Sequence, residues 1–391
     1  MAVRQIKENI WSVGAIDWDR RLFDELIPLP EGTSYNSYLV KGKSKTALID
    51  TVDPTKRKEL LANLAELGIK KIDYVIAHHA EQDHSGSLPD ILEAFPGVKI
   101  VCGEKAKPIL IDLLQVPEDN FQTVVDGEIV DLGDKTLRFI TTPWVHWPET
   151  IVSYVAEDRI LFSCDFFGSH LATSDLTAKP RSGLYHAAKR YYAEIMMPFR
   201  KQIVRNMEKL KDLDIQMIAP SHGPIYDNPE KIMDAYADWI SDDVTNTVVI
   251  PYVSMHGTTQ AMVDRLVSAL MERGVGVKPF FLSRTDIGEM AAALVDAATV
   301  VIGAPTVLTG PHPLAIYAAT LAAALKPKTR FISVIGSFSW GGKTVDTLAG
   351  ILSGLQVEVI EPVYIKGYPR EEDFNKIDAL ADAIVVKHAS I

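Results

Sequence analysis

The sequence predicts a mixed α+β domain over residues 1–246 followed by a doubly wound α/β domain over residues 247–391. Three observations predict it. The first fifty residues carry β-branched and aromatic patches broken by Gly and Pro, the mark of short paired strands. From Val248 onward, buried strands alternate regularly with helical segments. Finally, 391 residues with 47% apolar content are enough to bury two full cores.

Composition removes several function classes. A net charge of −11 leaves no basic footprint for nucleic acid. The opening residues, Met1 to Ile10, carry charges where a secretion signal needs an apolar run. The longest apolar run, Leu314 to Leu325, is too short to span a bilayer and reads as a buried helix. Neither a membrane nor a nucleic acid is therefore an expected partner. Cys102 and Cys164 form no C-x-x-C pair, so no rubredoxin-type or iron–sulfur centre is expected and a reducing cytoplasm is the natural location.

In the first domain, Ile10 to Val13, Ser37 to Val40 and Thr46 to Ile49 read as strands of a mostly antiparallel sheet, with a turn at Pro30-Glu31-Gly32. Leu60, Leu61, Leu64 and Leu67 are spaced for a helix from about Thr55 to Leu67, closed by Gly68. Tyr74 to Ala77 is a short buried strand. Ser87 to Phe95 reads as a helix, Val98 to Val101 as a strand and Lys105 to Leu114 as another helix. The segment from Tyr185 to Leu213 reads as one long amphipathic helix, with Ile203, Met207 and Leu210 packing inward.

The chemistry concentrates just after the strand at 74–77, where His79, Glu81, Asp83 and His84 place four metal-binding side chains in six residues. A helix here would split them between faces, so an irregular loop is expected, serving two adjacent metals. His-x-Glu-x-Asp-His resembles the His-x-His-x-Asp-His zinc signature of the metallo-β-lactamase superfamily, with Glu81 replacing the second histidine. The added carboxylate makes the site harder and more anionic, which favours iron or manganese over zinc.

Three later positions repeat the pattern of strand, polar residue and turn. His146 follows the strand Leu137 to Thr141, Asp165 follows Arg159 to Phe162, and His222 follows Gln216 to Ile218. The seven sort into two centres: His79, Glu81 and His146 on one metal, Asp83, His84 and His222 on the other, with Asp165 bridging. Four imidazoles and three carboxylates suit a pair of non-haem irons. His78 reads as a supporting residue beside the loop. His170, five residues after Asp165, is a candidate proton carrier beside the pocket. His186 and His388 lie on predicted helices as surface or packing groups.

In the second domain, strands are expected at 248–253, 277–281, 299–302, 330–335 and 357–363, with helices near 258–271, 286–296, 312–325, 341–354 and 370–388. The loop holding Ser254, His256, Gly257, Thr258 and Thr259 puts hydroxyls and a glycine at a helix N-terminus, an anion cradle. It matches neither a dinucleotide nor a nucleoside-triphosphate motif. Two more loops follow strand ends. One carries Pro305, Thr306, Val307, Leu308, Thr309 and Gly310; the other carries Ser337, Phe338, Ser339, Trp340 and Gly341. Trp340 beside two glycines offers an aromatic face to a flat ring, which suits a flavin; its competing reading is a packing residue at a helix start.

A metallo-β-lactamase-like αββα sandwich with His-x-Glu-x-Asp-His, followed by a flavodoxin-like doubly wound parallel sheet, resembles the flavodiiron proteins (A-type flavoproteins). The likeness covers the whole chain, in domain order and at all seven ligand positions. It implies two non-haem iron ions in the first domain and FMN in the second. It implies reduction of dioxygen to water, nitric oxide to nitrous oxide, or both. It also implies a head-to-tail homodimer or a homotetramer built from such pairs, in which each flavin faces a partner's metals. Leu308 and Thr309 stand where many relatives have asparagines. With no rubredoxin-like extension, an external electron donor is expected, either rubredoxin or reduced coenzyme F420. Two other readings compete: a metallo-β-lactamase-type hydrolase with an accessory flavodoxin module, and a flavin-only electron carrier or redox sensor.

Overall fold

The computed structural model describes residues 3–179 and 183–391. The chain divides into two compact units: Met1–Tyr192 with Phe199–Ile240, and Ser241–Ile391 with Ala193–Pro198. Residues 241–246 thus fall in the second unit, whose first strand, Thr245–Tyr252, starts before the pattern change expected near residue 247.

The first unit is built on two sheets. One has seven strands in the order Arg4–Lys7, Ile10–Ser12, Tyr38–Lys41, Thr46–Ile49, Tyr74–Ala77, Lys99–Gly103, Phe121–Val124. The other has five, Ile129–Asp131, Thr136–Thr141, Ile151–Val155, Ile160–Cys164 and Met217–Pro220. Side chains alternate between two cores, as the pleat requires. Tyr38, Val40, Ala47, Ile49, Ile76 and Val101 meet the second sheet through Leu137, Phe139, Phe162 and Ala219. Their neighbours Leu39, Leu48, Val75 and Ile100 face the helices through Leu60, Leu64, Ile91 and Leu110.

The three opening strands pair antiparallel as expected, but the sheet they join is mixed. Its last four strands run parallel. A helix precedes the second, third and fourth of these, at Arg57–Glu66, Leu88–Ala94 and Ala106–Leu114, and a helical crossover returns the chain in the same direction. The long helix expected from Tyr185 to Leu213 is also interrupted. Leu184–Tyr191 is followed by a wide turn at Tyr192–Met196, a tight one at Met197–Phe199, and a second helix, Arg200–Leu210. Pro198 lacks the N–H and crowds the preceding turn, which ends regular helix there. Ile203 and Leu210 are buried and Met207 is half-buried, as the helical spacing predicts.

The second unit is a parallel sheet in the order Gly276–Phe281, Thr245–Tyr252, Ala297–Val307, Phe331–Phe338, with the fifth strand in two pieces, Glu358–Val359 and Val363–Lys366. The piece break coincides with Pro362, which cannot donate to the ladder. Sequence order 2-1-3-4-5 puts the switch point between Thr245–Tyr252 and Ala297–Val307, where a ligand crevice forms at the carboxyl ends of the strands. Among the described residues no helix is long and apolar enough to cross a membrane.

Gly336 shows how tightly this sheet is stitched. It pairs with Ala304 on one side and Tyr364 on the other, and a Cβ there would lie 1.9 Å from the Ala304 carbonyl oxygen. Gly336→Ala is expected to cost about 1–3 kcal/mol through backbone displacement, visible as a lower denaturant midpoint of the second unit.

Candidate metal and flavin sites

The metal-binding side chains leave strand ends on one edge of the sandwich. His79 and Glu81 follow Tyr74–Ala77 without regular structure, but Gln82–Ser85 then closes one helical turn. The loop expected to be irregular throughout is therefore irregular only to Glu81. Its extended backbone (φ −60°, ψ 141°) keeps Glu81 beside His79, and the turn aims Asp83 and His84 towards a second point. Backbone bonds from Ser85 to Glu81 and from Gly86 to Gln82 hold it.

All seven sequence-predicted residues come together. His79, Glu81, His146 and Asp165 form one group, and Asp83, His84 and His222 another, with ligand atoms in each within 4.8 Å of one another. Glu81 Oε2 lies 3.1 Å from His79 Nε2 and 2.9 Å from His146 Nε2. Asp83 Oδ2 lies 3.1 Å from His222 Nε2. Asp165 divides its oxygens between the groups. Oδ2 is 3.6 Å from His79 and 3.7 Å from His146; Oδ1 is 3.0 Å from His84 and 3.3 Å from His222.

Outer contacts fix the imidazoles. His79 Nδ1 donates to Glu149 Oε1 at 2.9 Å, and His222 Nδ1 donates to the Ser34 carbonyl at 2.7 Å. With Nδ1 engaged, Nε2 is the nitrogen left for an ion. The His222 turn is tied to the first sheet by Asn36, whose amide donates to the Pro220 and Gly223 carbonyls. His78 is a supporting residue: its backbone N and Nδ1 bind the Asp50 carboxylate and its Nε2 meets Ser153. Asp50, His84 and Cys164 also approach within 4.8 Å. Asp50 is spent on His78, however, and burial pushes the Cys164 thiol well above its ordinary pKa, so this trio is a poor ion site.

The donor set fits a pair of divalent ions. Both Asp83 oxygens, Asp165 Oδ2 and His84 Nε2 are buried without a hydrogen-bond partner, so their lone pairs converge on shared space instead of on each other. Burial lowers the pKa of His79, His84 and His222, but the carboxylates outweigh it. Bonds to Glu149 and Glu81 push His79 up to about 10. The charges of Asp165 and Asp83 push His84 up to about 10, and close approach to the same two carboxylates does so for His222. Burial alone would raise Asp165; His84, His222 and His79 hold it well below the usual carboxylate range. Protons and metal therefore compete for the same nitrogens. Loading the metal-free protein near pH 7.5 is expected to release about three protons, one each from His79, His84 and His222. Calorimetry in buffers of different ionisation enthalpy checks this; uptake without release would contradict it.

Several residues that shape the site carried no weight in the sequence reading. Glu149 lies three residues after His146 in the same turn, and that proximity was the available signal. Tyr191 donates its hydroxyl to Asp165 Oδ1 at 2.8 Å from a helix 26 residues on, which no local pattern marks. Asp24, in the hairpin of Leu22–Phe23 with Ile27–Pro28, hydrogen-bonds Glu81; desolvation and the charges of Glu81 and Asp83 push its carboxyl up to about 6. His170 reaches the site's edge without joining either group. Its ring is 5.0 Å from His222 and its Nδ1 meets Thr33 Oγ1 at 2.9 Å. Burial and then the neighbouring His222 hold it well below its ordinary pKa, so it stands neutral. Exposed His186 and buried His388, bonded to Thr299 and Asn246, play structural parts at most.

In the second unit, Gly257 (φ +84°) turns the chain into the helix Thr258–Glu272, with Ser254, His256, Thr258 and Thr259 around its N-terminus. Thr259 Oγ1 is buried there without a partner, which fits a bound phosphate. The second flavin loop is shorter than expected, because Ala297–Val307 continues through Pro305, Thr306 and Val307 and turns back at Gly310–Pro311. Leu308 and Thr309 form the tip, both at positive φ. Thr306 points its hydroxyl inward to Tyr364 (2.6 Å) and Thr344 (3.0 Å). Ser337 and Phe338 likewise belong to a strand, leaving Ser339, Trp340 and Gly341 as loop. Trp340 is 83% exposed, so it packs on no helix start and is free to cover a flat ring.

Comparison with known proteins agrees with this geometry. The family described as ODP family beta lactamase matches residues 33–223. The chain is 35% identical to the coenzyme F420H2 oxidase of Methanothermobacter marburgensis, across 93% of both chains. It is 34% identical to the nitric oxide reductase of Moorella thermoacetica, across 98% of both. The solved rubredoxin oxygen:oxidoreductase of Desulfovibrio gigas superposes with a TM-score of 0.96 at 30% identity, covering 99% of each chain. Sandwich and flavodoxin-like sheet are thus shared along the full length, and the chain belongs to the flavodiiron protein family.

Proposed function

We propose that this oxidoreductase reduces dioxygen to water, nitric oxide to nitrous oxide, or both, at a pair of non-haem irons, with electrons arriving through FMN from an external donor. The observation that carries this reading is Asp165, one carboxylate whose two oxygens face two separate groups of ligand atoms. His79, Glu81 and His146 would hold one iron and Asp83, His84 and His222 the other. Ser254–Thr259, the 305–310 hairpin and the 337–341 loop would hold FMN. When bound, the iron pair and the flavin supply the diatomic-binding positions and the electrons.

The protein's own residues do the rest. Glu81, Asp83 and Asp165 would set three negative charges against two divalent ions, which offsets most of their charge and holds both in place. Tyr191 stays a phenol, because burial and Asp165 raise it well above its ordinary pKa, and its hydroxyl steadies the shared carboxylate. Phe23 and Tyr35 put ring faces or edges near His222, at 6.4 and 6.0 Å, which limits water beside the metals. Asp24, its carboxyl raised to about 6, takes up a proton next to Glu81 only on the acid side of neutrality. Dioxygen needs four electrons and four protons to become water, so a flavin and two irons, all reduced, suffice without releasing peroxide. The donor is rubredoxin or reduced F420, and pairing into a homodimer or homotetramer is part of the reading.

The deciding experiment is metal analysis, anaerobic reduction, and then separate oxygen and nitric oxide consumption with rubredoxin and F420 tried in turn. Iron with consumption of either gas is the expected result. Zinc with lactam or thioester hydrolysis, or a flavin-loaded protein that binds no metal, would overturn it.

A further inference from the structure

The two groups of metal-binding residues are uneven in their surroundings. His79 Nδ1 is backed by a carboxylate, Glu149, whereas His222 Nδ1 is backed by a neutral carbonyl, Ser34. For His84, the nearby carboxylate is Asp50, within 4.8 Å, whose oxygens are bonded to His78. The Glu149 side chain is fully buried. One of its oxygens takes both His79 Nδ1 (2.9 Å) and the Ala80 N–H (3.0 Å); the other is buried with no hydrogen-bond partner. Its charge therefore has one ionic neighbour, His79, through which to act. A carboxylate in this position makes imidazole a stronger electron donor and fixes its ring.

Adding the charges position by position sharpens the contrast. Asp165 gives one oxygen to each group. Glu81 serves the first and Asp83 the second. Asp50 lies near His84 but bonds His78, whereas Glu149 bonds a proposed ligand, His79, directly, and it stands behind the first position. Excess negative charge stabilises the more highly charged ion.

We propose that Glu149 is a positioning residue that makes the two metal positions inequivalent, giving the His79–Glu81–His146 position the lower reduction potential. This rests on reading the seven residues as an iron-pair site. It adds an order of events: the first position is the last to be reduced and the first to be oxidised.

The test is an anaerobic potentiometric titration of the iron- and FMN-loaded protein, followed by Mössbauer and electron paramagnetic resonance spectroscopy. The unaltered protein is expected to accumulate a mixed-valence pair over a wide potential range. Glu149→Gln keeps an acceptor for His79 and Ala80 but removes the charge, so the mixed-valence maximum should fall at least about twofold as the two potentials converge. Glu149→Asp keeps the charge and should retain the wide range. A variant that loses iron from one position only also supports the inference. Equal loss from both, a Gln variant that titrates like the unaltered protein, or an Asp variant more disturbed than the Gln variant overturns it. If unaltered protein takes up no iron, this inference and the proposed function fall together. If it takes up iron and consumes gas while Glu149→Gln changes nothing, this inference alone falls.

Discussion

Asp165→Asn is expected to abolish consumption of both dioxygen and nitric oxide, to strip most of the iron, and to leave FMN content unchanged. The amide has nearly the shape of the carboxylate but only one oxygen. Its nitrogen carries two protons and has no lone pair for an ion, so one of the two groups must lose its shared donor. Each group depends on that donor: the two oxygens lie 3.0–3.7 Å from four different imidazoles. Asn also removes the charge that offsets His84, His222 and His79, and breaking one partner out of a buried ion cluster costs about 3–5 kcal/mol. The sandwich core is large enough for a folded variant to persist at reduced stability. Asp165→Ala should behave alike, with greater loss of stability because it also leaves a cavity and frees the Tyr191 hydroxyl. The residues proposed to hold FMN sit in the other unit, so the flavin spectrum is the internal control. Gas consumption at the unaltered rate by an iron-poor Asp165→Asn protein would sink the assignment of the bridge.

The position of Asp165 between the two groups was legible in sequence because it repeats a pattern seen at His79, His146 and His222: a buried strand, one polar residue, a turn. Strand ends on one edge of a sheet must converge, so spacing along the chain became closeness in space. Other parts of the site carry no such local signal in the sequence. The turn at Gln82–Ser85 is four residues long, too short for any periodicity to register. Glu149 follows Pro148 in a turn, and nothing in its neighbours reveals that His79, 70 positions earlier, faces it. Asp24 and Tyr191 arrive from a hairpin and a helix whose own patterns are ordinary. In the second unit, the strand through Val307 was cut short in the reading because Leu308-Thr309 lacks the Asn-Gly signature of a tight hairpin. The parallel half of the first sheet was implied by its helical crossovers, yet the β-rich opening of the chain overshadowed it.

Thr258→Glu is expected to weaken FMN binding by about 10–100-fold while leaving the second unit as stable as before or slightly more so. The two effects have opposite signs because the same field causes both. Thr258 is the first residue of the helix Thr258–Glu272, where unpaired N–H groups and the helix dipole favour negative charge. A glutamate there interacts favourably with its own helix by about 0.3–1 kcal/mol and has better helix propensity than threonine. It also brings a carboxylate to the point proposed for a phosphate dianion, and the two compete for the same donors. A substitution that merely disrupted the fold would lower flavin affinity and thermal stability together. Fluorescence titration of FMN into flavin-free protein reads the first quantity, and thermal denaturation of that same flavin-free protein reads the second. Iron content should not change, since the seven residues proposed to hold iron lie in the other unit. Unaltered FMN affinity would mean that the phosphate is held elsewhere, and Thr259 Oγ1, buried there without a partner, would then need another ligand. Raising ionic strength should recover part of the lost affinity for Thr258→Glu, because the half-buried site at residue 258 leaves the new charge open to screening.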